Sequence, residues 1–248
     1  SSSATSAPTT AANRTNFDLT ARNRFVGLKH ATYGQVKIGQ FDSYLKLAEG
    51  EADLFNDYFG DMQKVVVGQN RLKNVVAYMS PVIEGLAFNV QYQTKDAAGV
   101  DAPAGTGLKG GKSASLTYTN EELGLYAALA ADRGIVSKGA VLSAEAQRDS
   151  ERAVVTYKVG DAFFSGVYTV SKLTDEGKLA LATTNENKEA GYSLGAAYKL
   201  DDVTLKAQYG KGKADVGQAE VKMVSAGADY NFTSKTKAFA FYTTLDAD

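Results

Sequence analysis

The feature that most constrains this chain is a hydropathy period of two. Over residues 86–93, Leu86, Phe88, Val90 and Tyr92 fall on one side of an extended backbone, while Ala87, Asn89, Gln91 and Gln93 fall on the other. The same division separates Val203, Leu205, Ala207 and Tyr209 from Thr204, Lys206 and Gln208. It also separates Tyr192, Leu194, Ala196 and Tyr198 from Ser193, Gly195, Ala197 and Lys199. Alternating segments bounded by turn residues predict strands near 21–30, 35–41, 71–79, 86–95, 112–119, 123–133, 152–158, 162–172, 190–199, 203–210, 221–232 and 236–245. Residues 1–20, rich in Ser, Thr, Ala and Asn without a period, read as a flexible loop or arm ahead of one all-β domain over 21–248.

The connections supply a second constraint. Those at 31–34, 80–85, 120–122, 159–161, 200–202 and 233–235 are short, and those near 42–70, 96–111, 134–151, 173–189 and 211–220 are long. Short turns at one rim and long loops at the other describe an antiparallel transmembrane β-barrel. A soluble sandwich or lipocalin-like barrel also alternates, because one face packs on a core. About a dozen strands, however, close around a space too wide for side chains to fill. Tyr78, Tyr92, Tyr157, Tyr198, Tyr230 and Phe232, near strand ends, suit an interfacial girdle and suit ordinary strand propensity equally well. The mean hydropathy of -0.24 accords with a barrel, whose strands need only alternate residues to be apolar.

Composition excludes several functions. A net charge of -1 gives no pull toward nucleic acid, so no nucleic-acid partner is expected. With no cysteine and a single histidine, His30, neither a thiolate or cysteine–zinc site nor a serine–histidine triad can be assembled. No enzyme, metal or cofactor is expected. The run from Gly105 to Ser113 resembles a phosphate-binding loop, but its first glycine is out of register at Thr106 and a strand follows from Ala114. The pairs Glu121/Glu122 and Asp201/Asp202 lie in turns, where a solvated surface explains them. Acidic residues in the long loops suit divalent cations, though without a specific ligand pattern.

Residues 22–30, followed by a short turn and then 34–41, resemble the fourth and fifth strands of the general porins of Gram-negative outer membranes. Residues 71–80 and 85–92 resemble the sixth and seventh strands, and 227–235 a late hairpin. The resemblance implies an outer-membrane homotrimer of barrels with about sixteen strands each, passing small hydrophilic solutes and ions and surrounded by outer-membrane lipid and lipopolysaccharide. On this match the family's first strands and its closing strand have no counterpart, so a partial chain is expected, since open sheet edges cannot face lipid.

The resemblance also implies that residues 42–70 form a loop folded into the lumen. Asp42, Glu49, Glu51, Asp53, Asp57 and Asp61 there outnumber Lys46 and Lys64. Arg22 and Arg71 fall where the family places basic residues on the facing wall, and strand parity adds Arg24, Lys37 and Lys73. An acidic loop opposite basic side chains in a narrow, low-dielectric channel sets up a transverse field that orders water and penalises apolar solutes. The bland alternative for the acidic run is a solvated outer loop. For the arginines the alternative is lipid, which would cost about 2–4 kcal/mol at the midplane. Two rival functions remain at this point. One is an outer-membrane hydrolase, for which His30 has no evident partners; the other is a structural or adhesive barrel with a closed lumen.

Overall fold

The computed structural model describes residues 23–94, 110–233 and 235–248. Within them twelve strands form one sheet: β1 (Arg24–His30), β2 (Gly34–Asp42), β3 (Arg71–Met79), β4 (Leu86–Gln93), β5 (Lys112–Asn120), β6 (Leu125–Lys138), β7 (Glu145–Val159), β8 (Ala162–Leu173), β9 (Glu189–Leu200), β10 (Val203–Ala214), β11 (Glu220–Thr233) and β12 (Thr236–Ala247). Each strand pairs antiparallel with its neighbour in sequence, so the sheet is an unbroken meander with β1 and β12 as its edges. Two short helices, α1 (Tyr44–Leu47) and α2 (Asp175–Ala180), lie in connections. The expected N-terminal arm, with Arg22, and most of the glycine-rich 105–113 run lie outside the described residues.

The two faces are inverted relative to a soluble protein. Leu129 on β6 is 63% exposed and Leu194 on β9 is 53% exposed, whereas Ser193 beside it is 2% exposed. Along β4 the exposed set is Leu86, Phe88, Val90 and Tyr92, and the buried set is Asn89, Gln91 and Gln93. Oily residues face out and polar residues face in, as a wall between hydrocarbon and an aqueous interior requires. Tyr157, Tyr198 and Tyr230 stand outward beside the short turns and form part of an aromatic belt at that rim.

All twelve expected strands are present, but two of the expected long connections are much shorter. β6 continues to Lys138 and β7 begins at Glu145, leaving 139–144, and β10 and β11 leave only 215–219. Alternation of hydropathy stops where both faces become wet, while the backbone ladder continues beyond that level. A bulge between Asp132 and Ile135, with Gly134 at a φ of 64°, marks the changeover on β6.

Replacing Leu129 by arginine is expected to cost about 2–4 kcal/mol of folding free energy in lipid, while Ser193→Ala stays within about 0.5 kcal/mol. Urea titration of vesicle-folded protein, read by its heat-modifiable gel mobility, checks the pair. Tolerance of the arginine would reverse the assignment of faces.

Candidate pore constriction

Residues 43–70 do not project into solvent. They cross the inner face of the sheet and touch its wall from β5 to β12, and the reason is legible in their composition. Leu45, Ala48, Ala52, Met62, Val65 and Val66 pack on Ala128, Ala130, Val154, Val167, Val221 and Met223, which are inward-facing apolar residues of β6, β7, β8 and β11. A second cluster joins Tyr44 to Phe41, Leu72, Val75, Ala77 and Ile135. The hydrophobic core thus lies inside the wall, between loop and sheet, and burial of this kind contributes about 25 cal/mol per Å² of apolar surface.

Polar anchors fix the position of the loop. Arg152 on β7 is fully buried. Its Nη1 donates to the Leu45 carbonyl at 3.2 Å and to Glu49 Oε2 at 3.1 Å, its Nη2 to the Val67 carbonyl at 2.9 Å, and its Nε to Thr169 Oγ1 at 3.0 Å. One guanidinium therefore holds both limbs of the loop to the wall, as five donors in a fixed fork permit. At the far end Gln208 of β10 accepts from the Leu54 amide at 2.9 Å and donates to Asp53 Oδ1 at 3.0 Å and to the Gly60 carbonyl at 3.2 Å. Between these, Tyr126 donates to the Ala48 carbonyl at 2.9 Å and Ser165 to the Ala52 carbonyl at 2.7 Å. The tip docks through rings: Phe55 meets Phe241 at 6.0 Å, and Tyr58 meets Phe239 at 4.8 Å. At Gly191 a Cβ would stand 2.0 Å from the Val65 carbonyl oxygen, so this wall position has to be glycine for the loop to lie so close.

The carboxylates of the loop do unequal work. Glu49 receives Arg152 and the Gln69 amide, the latter at 2.6 Å; burial pushes its carboxyl up, against the pull of Arg152. Asp53 accepts from the Phe55 amide at 3.1 Å, the Met62 amide at 3.0 Å and Gln208, and burial pushes it up to about 6. Asp61 caps the turn that follows, accepting from Gln63 and Asp57 amides at 2.8 and 3.1 Å. Glu51 and Asp57 are exposed.

The basic residues expected on the wall are scattered. Lys37 is buried on the inner face, its ammonium 4.5 Å from the Phe41 ring, 5.1 Å from Phe25 and 6.0 Å from Tyr44. Arg24 is on the opposite face of the hairpin, donating to Gln40 at 2.7 Å. Asp42 ends β2 and is directly across from Arg71, with 2.9 Å between carboxylate and guanidinium, so these two form one cross-strand ion pair rather than opposite sides of a pore. Lys73 is exposed beside Asn74, whose φ of 52° and the β2–β3 register shift break the parity on which Lys73 was read as inward. Arg152 itself, the buried Arg148–Glu189 pair at 3.0 Å, and Lys206 and Lys237 sharing Asp229 at 3.1 and 3.0 Å were not anticipated. A usable signal existed: Arg148, Ser150, Arg152, Val154 and Thr156 keep the period of two that marks a continuing inward face.

The Gram-negative porin family matches residues 3–248. The chain belongs to that family. It is 27% identical over 236 residues to the major outer membrane protein P.IB of Neisseria lactamica, an overlap of 90% of this chain and 66% of that protein. It is 25% identical over 242 residues to the P.IB protein of Neisseria sicca, covering 88% of this chain and again 66% of the other, so the chain spans about two thirds of the length of these relatives. Among solved structures, the anion-selective porin from Comamonas acidovorans superimposes with a TM-score of 0.73 at 18% identity, over 91% of this chain and 67% of that one. The Salmonella typhi OmpF complex with daunomycin gives 0.67 at 19% identity, over 91% and 71%. The fold of this porin family member is that of the outer-membrane barrels, and its place is the Gram-negative outer membrane.

Arg152→Ala is expected to destabilise the folded barrel by about 3–5 kcal/mol, because the buried Glu49 charge loses its partner. Glu49→Gln in the same chain should recover part of the loss. A double-mutant cycle in urea measures this coupling, and additive losses would show that the pair is not what holds the loop.

Proposed function

We propose that the full-length protein forms a water-filled channel for passive diffusion of small hydrophilic solutes and ions, without catalysis or cofactor, as a homotrimer set among outer-membrane lipid and lipopolysaccharide. The observation that supports it best is the acidic loop held across the inside of a wall that is oily outside and largely polar within. Such a loop narrows the passage without sealing it by a domain of its own. Membership of the porin family and the porin relatives support the same reading.

Within this reading the loop's carboxylates divide by role. Glu49 and Asp61 hold the loop's shape, while Glu51, Asp57 and the ionised form of Asp53 set the charge that a passing ion meets. Lys37, Lys206 and Lys237 supply positive charge on the wall. The resulting field selects by hydration and charge rather than by a fitted pocket.

Full-length protein in a planar bilayer is expected to give conductance steps in groups of three that scale nearly linearly with salt. Correctly folded protein that stays silent would sink the channel reading and favour a closed barrel. Neutralising Asp53 and Asp57 is expected to move the reversal potential in a salt gradient toward anions.

The pH dependence follows from Asp53. A carboxyl raised to about 6 keeps its proton in the folded state over a range where the unfolded chain has lost it. Stability from this group therefore falls as pH rises from its ordinary value near 3.8 to about 6, and its charge is present only above about 6. Cation preference should drop as pH falls through 6 in the wild type and stay flat through that window in Asp53→Asn; identical curves would remove Asp53 from the filter.

A further inference from the structure

We propose that the lumen carries, between the loop and the β6–β7 hairpin, a subsite for an anionic sugar: a hydroxylated ring bearing a carboxylate or a phosphate. The subsite rests on the channel reading and narrows its hydrophilic solutes to one chemical class at one place.

A cavity of about 540 Å³ lies between the returning limb of the loop, the tip of the β6–β7 hairpin and the ends of β11 and β12. Small-molecule sites commonly have volumes of about 300–1,000 Å³. Its walls are fixed from behind. The Val141 amide donates to Glu189 Oε2 at 2.9 Å, and Glu189 is itself paired with the fully buried Arg148, so the hairpin tip is drawn against β9. At Gly139 a Cβ would stand 2.2 Å from Glu189 Oε1, so glycine is what lets the tip come this close. On the other side, burial of Val65 and Val66 in the core holds the returning limb in place. Packed elements, rather than free loops, therefore give the cavity its shape.

The charge of the cavity has one sign. Lys64 and Lys138 line it, and no carboxylate does among the described residues. The Lys64 ammonium is 5.5 Å from the Phe59 ring, and Lys138 stands across the ladder from Glu145; neither lysine is in an ion pair among the described residues. Two uncompensated cations on one cavity attract an anion into it.

The remaining lining selects the kind of anion. Gln69 gives its side-chain N–H to Glu49 at 2.6 Å and Asn70 gives its own to Asp132 at 3.2 Å, which leaves two carboxamide oxygens with no donor among the described residues. Such oxygens accept from hydroxyl groups, and a bare inorganic anion has nothing to give them. Gln63, Ser137 and Ser143 add groups that both donate and accept. Val66, Val141, Val221 and Leu245 supply an apolar flank that suits the C–H face of a sugar ring. No aromatic residue lines the cavity among the described ones, so a nucleotide base would find no ring on which to stack. Binding here has to stay weak, because a solute that enters a channel must also leave it.

Full-length protein in detergent micelles, titrated with glucuronate, glucose 6-phosphate, glucose and acetate by saturation-transfer NMR, tests the subsite, with single-channel currents recorded in the same solutes. At least one acidic sugar is expected to bind about fivefold or more tightly than glucose or acetate and to make the current flicker in proportion to its concentration. The tighter of the two acidic sugars tells carboxylate from phosphate. Lys64→Gln and Lys138→Gln should each weaken that sugar about fivefold and leave glucose unchanged. Ala140→Phe, which fills the cavity and keeps both lysines, should weaken every sugar. Glucose binding as tightly as the acidic sugars overturns the role of the lysines, and acetate doing so overturns that of the carboxamides. Normal conductance with no sugar binding overturns the subsite and leaves the channel standing, whereas lysine-dependent binding to a silent barrel upholds the subsite and sinks the channel reading. Should Ala140→Phe not fold, the two lysine variants decide the matter by the same binding ratio.

Discussion

Hydrocarbon on one side of a sheet changes what every residue of that sheet is for. No solvent outside the wall can satisfy a backbone amide or a polar side chain, so each strand must be hydrogen-bonded to its neighbour and must turn its oily side outward. The meander from β1 to β12, the exposure of Leu129 and Leu194, and the burial of Ser193, Gln91 and Gln208 are consequences of that one condition. It also explains why the interior is polar. In a protein surrounded by water the same alternation would have put Asn89 and Gln91 outside.

A polar interior would leave the loop at 43–70 with little reason to enter, and this chain solves that by making the inner face locally apolar. Ala128, Ala130, Val154, Val167 and Met223 point inward where Leu45, Met62, Val65 and Val66 arrive. Strands β6 to β8 are apolar on both faces at that level. Direction then comes from Arg152 and Gln208, which bond to loop carbonyls and amides rather than only to side chains, so they specify a path for the backbone. Glycine at 191 removes the side chain that would otherwise hold the backbone of Val65 away from the wall.

The charges assume a different meaning once their partners are known. A count of acidic residues over 42–70 treats six carboxylates alike, yet Asp42 is bound to Arg71 at the foot of the loop, Glu49 to Arg152, and Asp61 to the turn that it caps. Much of the negative charge is structural. The wall shows the same division, with Arg148 and Arg152 committed to carboxylates and Lys37 held among three aromatic rings.

The sequence by itself determined the number and order of the strands, the face that each turns to the membrane and the presence of an acidic insert after β2. Those properties depend on neighbours two residues apart and on turn chemistry, which a linear reading captures. It did not determine where β6 and β7 end, because above the membrane both faces are wet and alternation vanishes while the ladder goes on. Nor did it determine which basic residues face the loop. Parity across β3 fails at Asn74, and Arg152 meets Leu45 and Val67 only because the loop crosses the sheet to reach it. Contacts between a loop and strands about a hundred positions away are set by packing inside the wall, and tertiary structure alone decides them.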